Sequence, residues 1–189
     1  VNEGSMVTLN GKFTDPGTGD THTYFWSVTN PGNVVVATGT TPDISFTPTD
    51  NGTYKASFQV TDNDMGVGST STTFTINNVG PQNALIAGPT TIDEEVTANY
   101  SISFNDPGTS DTHTVNWTVR DAGNVIVATG TGLDFGYTPM FSGIYTVSAT
   151  VTDDDLDVGM APNIILTVQN MKPRQVSAGS GGTTPEGTA

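Results

Sequence analysis

The sequence predicts an all-β fold: two tandem β-sandwich domains and the opening of a third. Three observations carry this. Apolar residues alternate with polar ones over short runs, as in Tyr54-Lys-Ala56-Ser-Phe58-Gln-Val60, where every second side chain would face a core. Nowhere do apolar residues recur at helical spacing over three turns, and Gly, Thr and Asn interrupt the chain throughout. Finally, Phe13-Thr-Asp15-Pro16-Gly17-Thr18-Gly-Asp20-Thr21-His22 returns as Phe104-Asn-Asp106-Pro107-Gly108-Thr109-Ser-Asp111-Thr112-His113, so Asp15 and Asp106 stand 91 positions apart. A period of that size marks an array of small domains.

Taken in order, Val7, Leu9 and Phe13 begin a strand with a kink at Gly11, and Asp15-Pro16-Gly17 ends it, because proline and glycine preset a turn. Tyr24 to Val28 form the next strand, with Trp26 inward. Asn30-Pro31-Gly32-Asn33 is a turn, Val34 to Ala37 continue the sheet, and Ile44 to Phe46 add a short strand. The Gly52 to Val60 run carries the clearest alternation, and Thr73 to Ile76 close the unit. Asn77-Asn78-Val79-Gly80-Pro81 links to a second unit with the same order of signals. Pro81 precedes Glu94 as Pro173 precedes Glu186, so the expected units are 1–78, 79–170 and, as the start of a third, 171–189. The first strand of unit one is expected upstream or supplied in trans.

At 189 residues, each unit has enough chain to bury a core unaided. There is no cysteine, which excludes disulfides and thiolate metal sites. No apolar run approaches the roughly 18 residues of a membrane helix, so no membrane insertion is expected. The net charge of −14 repels nucleic acid and anionic lipid and favours cations. Ten of the nineteen acids fall in two loop types: Asp15, Asp20, Asp62 and Asp64 in unit one, and Asp106, Asp111, Asp153, Asp154, Asp155 and Asp157 in unit two.

Some seven short strands per unit, frequent turns and a mid-domain tryptophan describe an immunoglobulin-like sandwich, and Gly52-Thr-Tyr54 and Gly143-Ile-Tyr145 sit where a tyrosine corner would fall. In that arrangement the Asp-Pro-Gly loop, the Asp62-Asn-Asp64 loop and the linker share one end of a domain. Glu3-Gly4-Ser5, Asp15-Pro16-Gly17, Asp20-Thr21-His22-Thr23, Trp26, Gly52-Thr-Tyr54 and Val60-Thr61-Asp62, with their counterparts, resemble the PKD-like immunoglobulin repeats of secreted bacterial surface proteins. The family's usual Trp-Asp-Phe-Gly-Asp-Gly turn is replaced here by Trp26-Ser-Val28-Thr-Asn30-Pro, so no role of that turn carries over. The resemblance implies a spacer or adhesive module outside the cell and, in some members, calcium near the N-terminal end of a domain.

Calcium takes six to eight hard oxygens. In unit two, Asn77 or Asn78, Asp106, Asp111, Asp153 and Asp155 would supply them; in unit one, Asp15, Asp20, Asp62 and Asp64. The competing reading is that Asp15 and Asp106 cap their turns and the other acids are solvated. His22 and His113 stand alone in their units, which points to hydrogen bonding with neighbouring backbone rather than zinc. No Gly-x-Ser-x-Gly elbow or aromatic-walled cleft is legible, so no enzyme is expected. Expected partners are neighbouring repeats, head-to-tail copies that donate the strand Val176 to Ala178, and cell-surface or matrix ligands. The alternative is a carbohydrate- or protein-binding accessory module of a secreted enzyme.

Overall fold

The structure, a computed structural model, describes residues 1–173. The expected donor strand and most of the expected third unit lie outside the described residues.

Unit one contains β1 (Val7–Asn10), β2 (His22–Thr29), β3 (Val35–Gly39), β4 (Asp43–Phe46), β5 (Gly52–Asp62) and β6 (Val67–Ile76). Strands β1 and β4 pair antiparallel and face a sheet of order β3-β2-β5-β6. Unit two contains β7 (Gln82–Ala87), β8 (Thr91–Asp93), β9 (Ala98–Asn105), β10 (His113–Arg120), β11 (Ile126–Thr131), β12 (Asp134–Tyr137), β13 (Gly143–Asp153), β14 (Val158–Met160) and β15 (Ile164–Gln169). One of its sheets runs β12-β9-β7; the other runs β11-β10-β13-β15-β8, with β14 on β13. The strands form where the alternation falls: along β5, Tyr54, Ala56, Phe58 and Val60 are buried, and Lys55 between them is exposed.

Each unit closes on its own core, around Trp26, Tyr54 and Phe58 in one and Trp117, Tyr145 and Leu166 in the other. The tryptophans face inward as expected, and their indole N–H groups donate to the carbonyls of Pro42 and Gly132 at 3.2 and 2.8 Å. The two cores keep their volume by different residues. In unit one Phe58 stacks on Trp26 at 4.5 Å and occupies the space a side chain at Gly11 would need; unit two has Ala149 and Ile102 at those positions. The tyrosine corners are present. Tyr54 Oη donates to the Asp50 carbonyl at 2.8 Å and Tyr145 Oη to that of Phe141 at 2.9 Å, anchoring the loops before β5 and β13.

Two extents differ from expectation. Strand β1 stops at Asn10, short of Phe13, whereas β9 continues to Asn105. The continuation depends on β7, which pairs with Ile102, Ser103 and Asn105; among the described residues of unit one, no strand stands in that place. Strand β6 begins at Val67, earlier than Thr73, because its Ser/Thr-rich first half is exposed and pairs through backbone alone. Unit one does keep the counterpart of the parallel β8–β15 pairing, as a single bridge from Asn2 to Asn77.

The linker carries the chain from β6 into β7 and sets the foot of unit one on the loop end of unit two. Ser110 donates its N–H to the Thr49 carbonyl at 3.0 Å and its hydroxyl to Thr49 Oγ1 at 2.9 Å. Gly4, at φ +68°, lies so close to Pro107 that no side chain fits between them.

Candidate metal centre at the junction

The Asp-Pro-Gly loops have one local design. Asp15 Oδ1 accepts the Gly17 N–H at 2.8 Å and Asp106 Oδ1 the Gly108 N–H at 3.0 Å, which closes an Asx turn around the proline. The second carboxylate oxygen of each meets Nε2 of His22 or His113 at 2.8 Å. The histidines therefore bond a loop carboxylate and not neighbouring backbone: the imidazole and the aspartate, seven residues apart, sit on facing limbs of the same loop. His22 holds the Asp15 carboxyl below its usual range, with the Gly17 N–H acting in the same direction.

The next carboxylate, Asp111, turns under this loop towards unit one. A side chain on Gly108 would collide with the Asp111 carboxylate and with Glu3. Glu3 is 1% exposed. Its Oε1 accepts the linker N–H of Val79 at 2.7 Å, and its Oε2 is buried without a donor. The linker side chain Asn78 donates from Nδ2 to Asp153 Oδ2 at 2.9 Å and to Asp157 Oδ2 at 3.0 Å. Since carboxylates accept, this orients the amide and points Oδ1 elsewhere, again buried and without a donor. Asp111 Oδ2 is the third such atom.

Oxygens of Glu3, Asp106 and Asp111 come within 4.8 Å of one another, as do those of Asp50, Asp111 and Asp155, so Asp111 is common to both groups. Two of these residues belong to unit one, three to unit two, and Asn78 to the linker between. The crowding has an electrostatic price. Burial, followed by the charges of Glu3, Asp106, Asp154 and Asp50, pushes the Asp111 carboxyl up to about 7. Burial also raises Glu3, despite the Val79 N–H that favours its ionised form. A cluster of carboxylate oxygens is the kind of donor set that hard divalent cations take, calcium with irregular oxygen shells and magnesium with strictly octahedral ones.

Of the ligands expected in unit two, Asp106, Asp111 and Asp155 lie in these groups, and Asn78 turns Oδ1 out of its contact with Asp153 and Asp157. Asp153, 4% exposed, spends both oxygens on Asn78 and on the Asp157 N–H. Asn77 turns back to unit one, where Nδ2 meets Asn2 Oδ1 at 3.4 Å. In unit one, Asp15, Asp20 and Asp62 share a similar group at the opposite end, while Asp64 is exposed outside it. Sequence reasoning missed Glu3 and Asp50. Glu3 repeats as Glu94, whose Oε1 accepts the Met171 N–H at the same 2.7 Å, and that repetition was a legible signal. Asp50 is replaced by Phe141 in unit two and left none.

The fold and this junction define a tandem array of immunoglobulin-like modules. Residues 1–76 match the family described as K319L-like, PKD domain, and residues 78–160 that described as PKD domain; the chain belongs to the PKD domain family. PKD domains are non-catalytic modules typical of extracellular and surface proteins. No curated protein matches the chain. Similar solved structures include the amphioxus IgVJ-C2 molecule, at 14% identity and TM-score 0.47 over 88% of this chain and 98% of that one. The Clostridium thermocellum CbhA fibronectin(III)-like modules share 12% identity at TM-score 0.41, over 94% and 93%. The PKD domain of an M14-like peptidase from a Thermoplasmatales archaeon shares 18% at TM-score 0.37, over 49% and 98%.

Proposed function

We propose that the chain is part of an extracellular structural or adhesive repeat array, a stalk, matrix or filament component, whose junctions are stiffened by calcium. The observation that carries this is the set of three buried acceptors without donors, Glu3 Oε2, Asn78 Oδ1 and Asp111 Oδ2, contributed by unit one, the linker and unit two. Each buried acceptor left unpaired costs about 1–3 kcal/mol. A single cation among them would remove those costs and the carboxylate repulsion together. It would also tie both units and the linker to one point, so bending at the joint would break coordination.

At millimolar extracellular calcium and a dissociation constant near 0.1 mM, binding would stabilise the junction by roughly 1.5 kcal/mol. Titration calorimetry on the chelator-treated chain should show calcium binding that Glu3→Gln abolishes, since the amide keeps the Val79 bond but lacks the charge. Small-angle scattering should show a narrower spread of interunit distances with calcium than with chelator. Absence of binding, or binding unchanged in the variant, would refute the reading.

A further inference from the structure

The Asp106 carboxylate is braced at both oxygens, by the Gly108 N–H on Oδ1 at 3.0 Å and by His113 on Oδ2 at 2.8 Å. Because a carboxylate accepts, the imidazole donates from Nε2. The two braces differ in what stands behind them. Gly108 belongs to the same turn and moves with it. His113 opens β10, where it pairs in register with Asp153 of β13, and its ring centroid lies 4.8 Å from that of Phe104 in β9. Strands β9 and β10 belong to opposite sheets, so both layers of the sandwich fix the imidazole. A side chain held by strands places its partner more closely than a loop can place itself.

Asp111 lies inside the loop that this bond closes. Its N–H donates to the Gly108 carbonyl at 3.1 Å, and the Thr112 N–H donates to Oδ1 of the exposed Asp154 at 3.0 Å. Two carboxylates of the Glu3–Asp106–Asp111 group therefore ride on one loop, and the His113–Asp106 bond joins its two limbs. We propose that His113 is a positioning residue for the junction cation: it holds Asp106 across the loop, so that Asp106 and Asp111 converge with the buried Glu3 Oε2. This rests on the cation reading of the junction. Partners that orient the ligands of a metal typically change its affinity about tenfold to a hundredfold.

Unit one contains a matched pair away from Glu3. His22 Nε2 meets Asp15 Oδ2 at the same 2.8 Å, Asp15 Oδ1 accepts the Gly17 N–H, and the Phe13 ring centroid lies 4.6 Å from that of His22. A bond that only stapled its loop would act alike in both units. A bond that positions a junction ligand acts through His113 and not through His22.

Two amides at position 113 make the test. Glutamine carries its Nε2 about as far from the backbone as the imidazole does, and asparagine falls one methylene short. Titration calorimetry with calcium is run on the full chain, the junction site being the component that Glu3→Gln removes, and a melting transition in chelator shows each variant folded. His113→Asn should weaken that component about tenfold to a hundredfold, His113→Gln should stay within about threefold of the parent, and His22→Asn should leave it unchanged. A parent that binds no calcium would end the cation reading and this inference with it. Parent-like affinity in His113→Asn, an equal loss in His22→Asn, or a loss in His113→Gln as large as in His113→Asn would overturn this inference alone.

Discussion

Asp111→Asn tests the junction with two opposite signs. Asp111 is the carboxylate shared by both oxygen groups, and its rise from 3.8 to about 7 reports how unwelcome its charge is without a cation. That rise sets a ceiling of about 4 kcal/mol, and screening of a partly exposed group reduces it to on the order of 2 kcal/mol at neutral pH. Asparagine keeps the size and removes the charge, so in chelator the variant should be more stable than the parent, with a melting temperature higher by roughly 8–16 °C for a domain of this size. In millimolar calcium the gap between the two should narrow, because the two respond differently. The parent gains roughly 1.5 kcal/mol, and the variant, short of a charged ligand, gains little. Differential scanning calorimetry in both conditions reads all four values. A variant less stable than the parent in chelator, or one retaining the full calcium shift, would refute the reasoning.

Gly108→Ala should weaken calcium binding at least about tenfold and destabilise the junction, because the methyl group displaces Asp111 and Glu3; calorimetry on the folded variant reads both. Tyr54→Phe removes the hydrogen bond to the Asp50 carbonyl and should cost about 1 kcal/mol in chemical denaturation, with the rest of the core intact. The pH response of the chelator-treated chain follows from sign. Asp111 and Glu3 are raised in the folded state, so it binds more protons than the unfolded chain between roughly pH 4 and 7, and melting temperature should fall as pH rises through that window. Asp15 is lowered by His22, so its contribution is present above about pH 4 and is lost in acid.

Repetition made the fold legible. Two copies of each strand signal, turn and tyrosine corner gave the sandwich, the inward tryptophans and the linker's position. What stayed hidden depended on contacts between units. Glu3 reads as a motif residue of unit one, and only the seating of Gly4 on Pro107 brings it beside Asp111. Asp50 has no repeated counterpart, and its place is set by the tyrosine corner behind it. Asp153 reads as one more loop acid in sequence, and its burial, with Asn78 Nδ2 on one oxygen and the Asp157 N–H on the other, is set by the fold. Charge density was visible in the chain; which oxygens lacked donors was a property of packing.

The central claim is that one cation joins the three unpaired oxygens. A crystal grown in calcium chloride, with anomalous differences measured, tests it most directly. The account predicts a peak within about 2.3–2.6 Å of Glu3 Oε2, Asn78 Oδ1 and Asp111 Oδ2. Density for ordered water alone at that point, with the three side chains turned to separate donors, would contradict it.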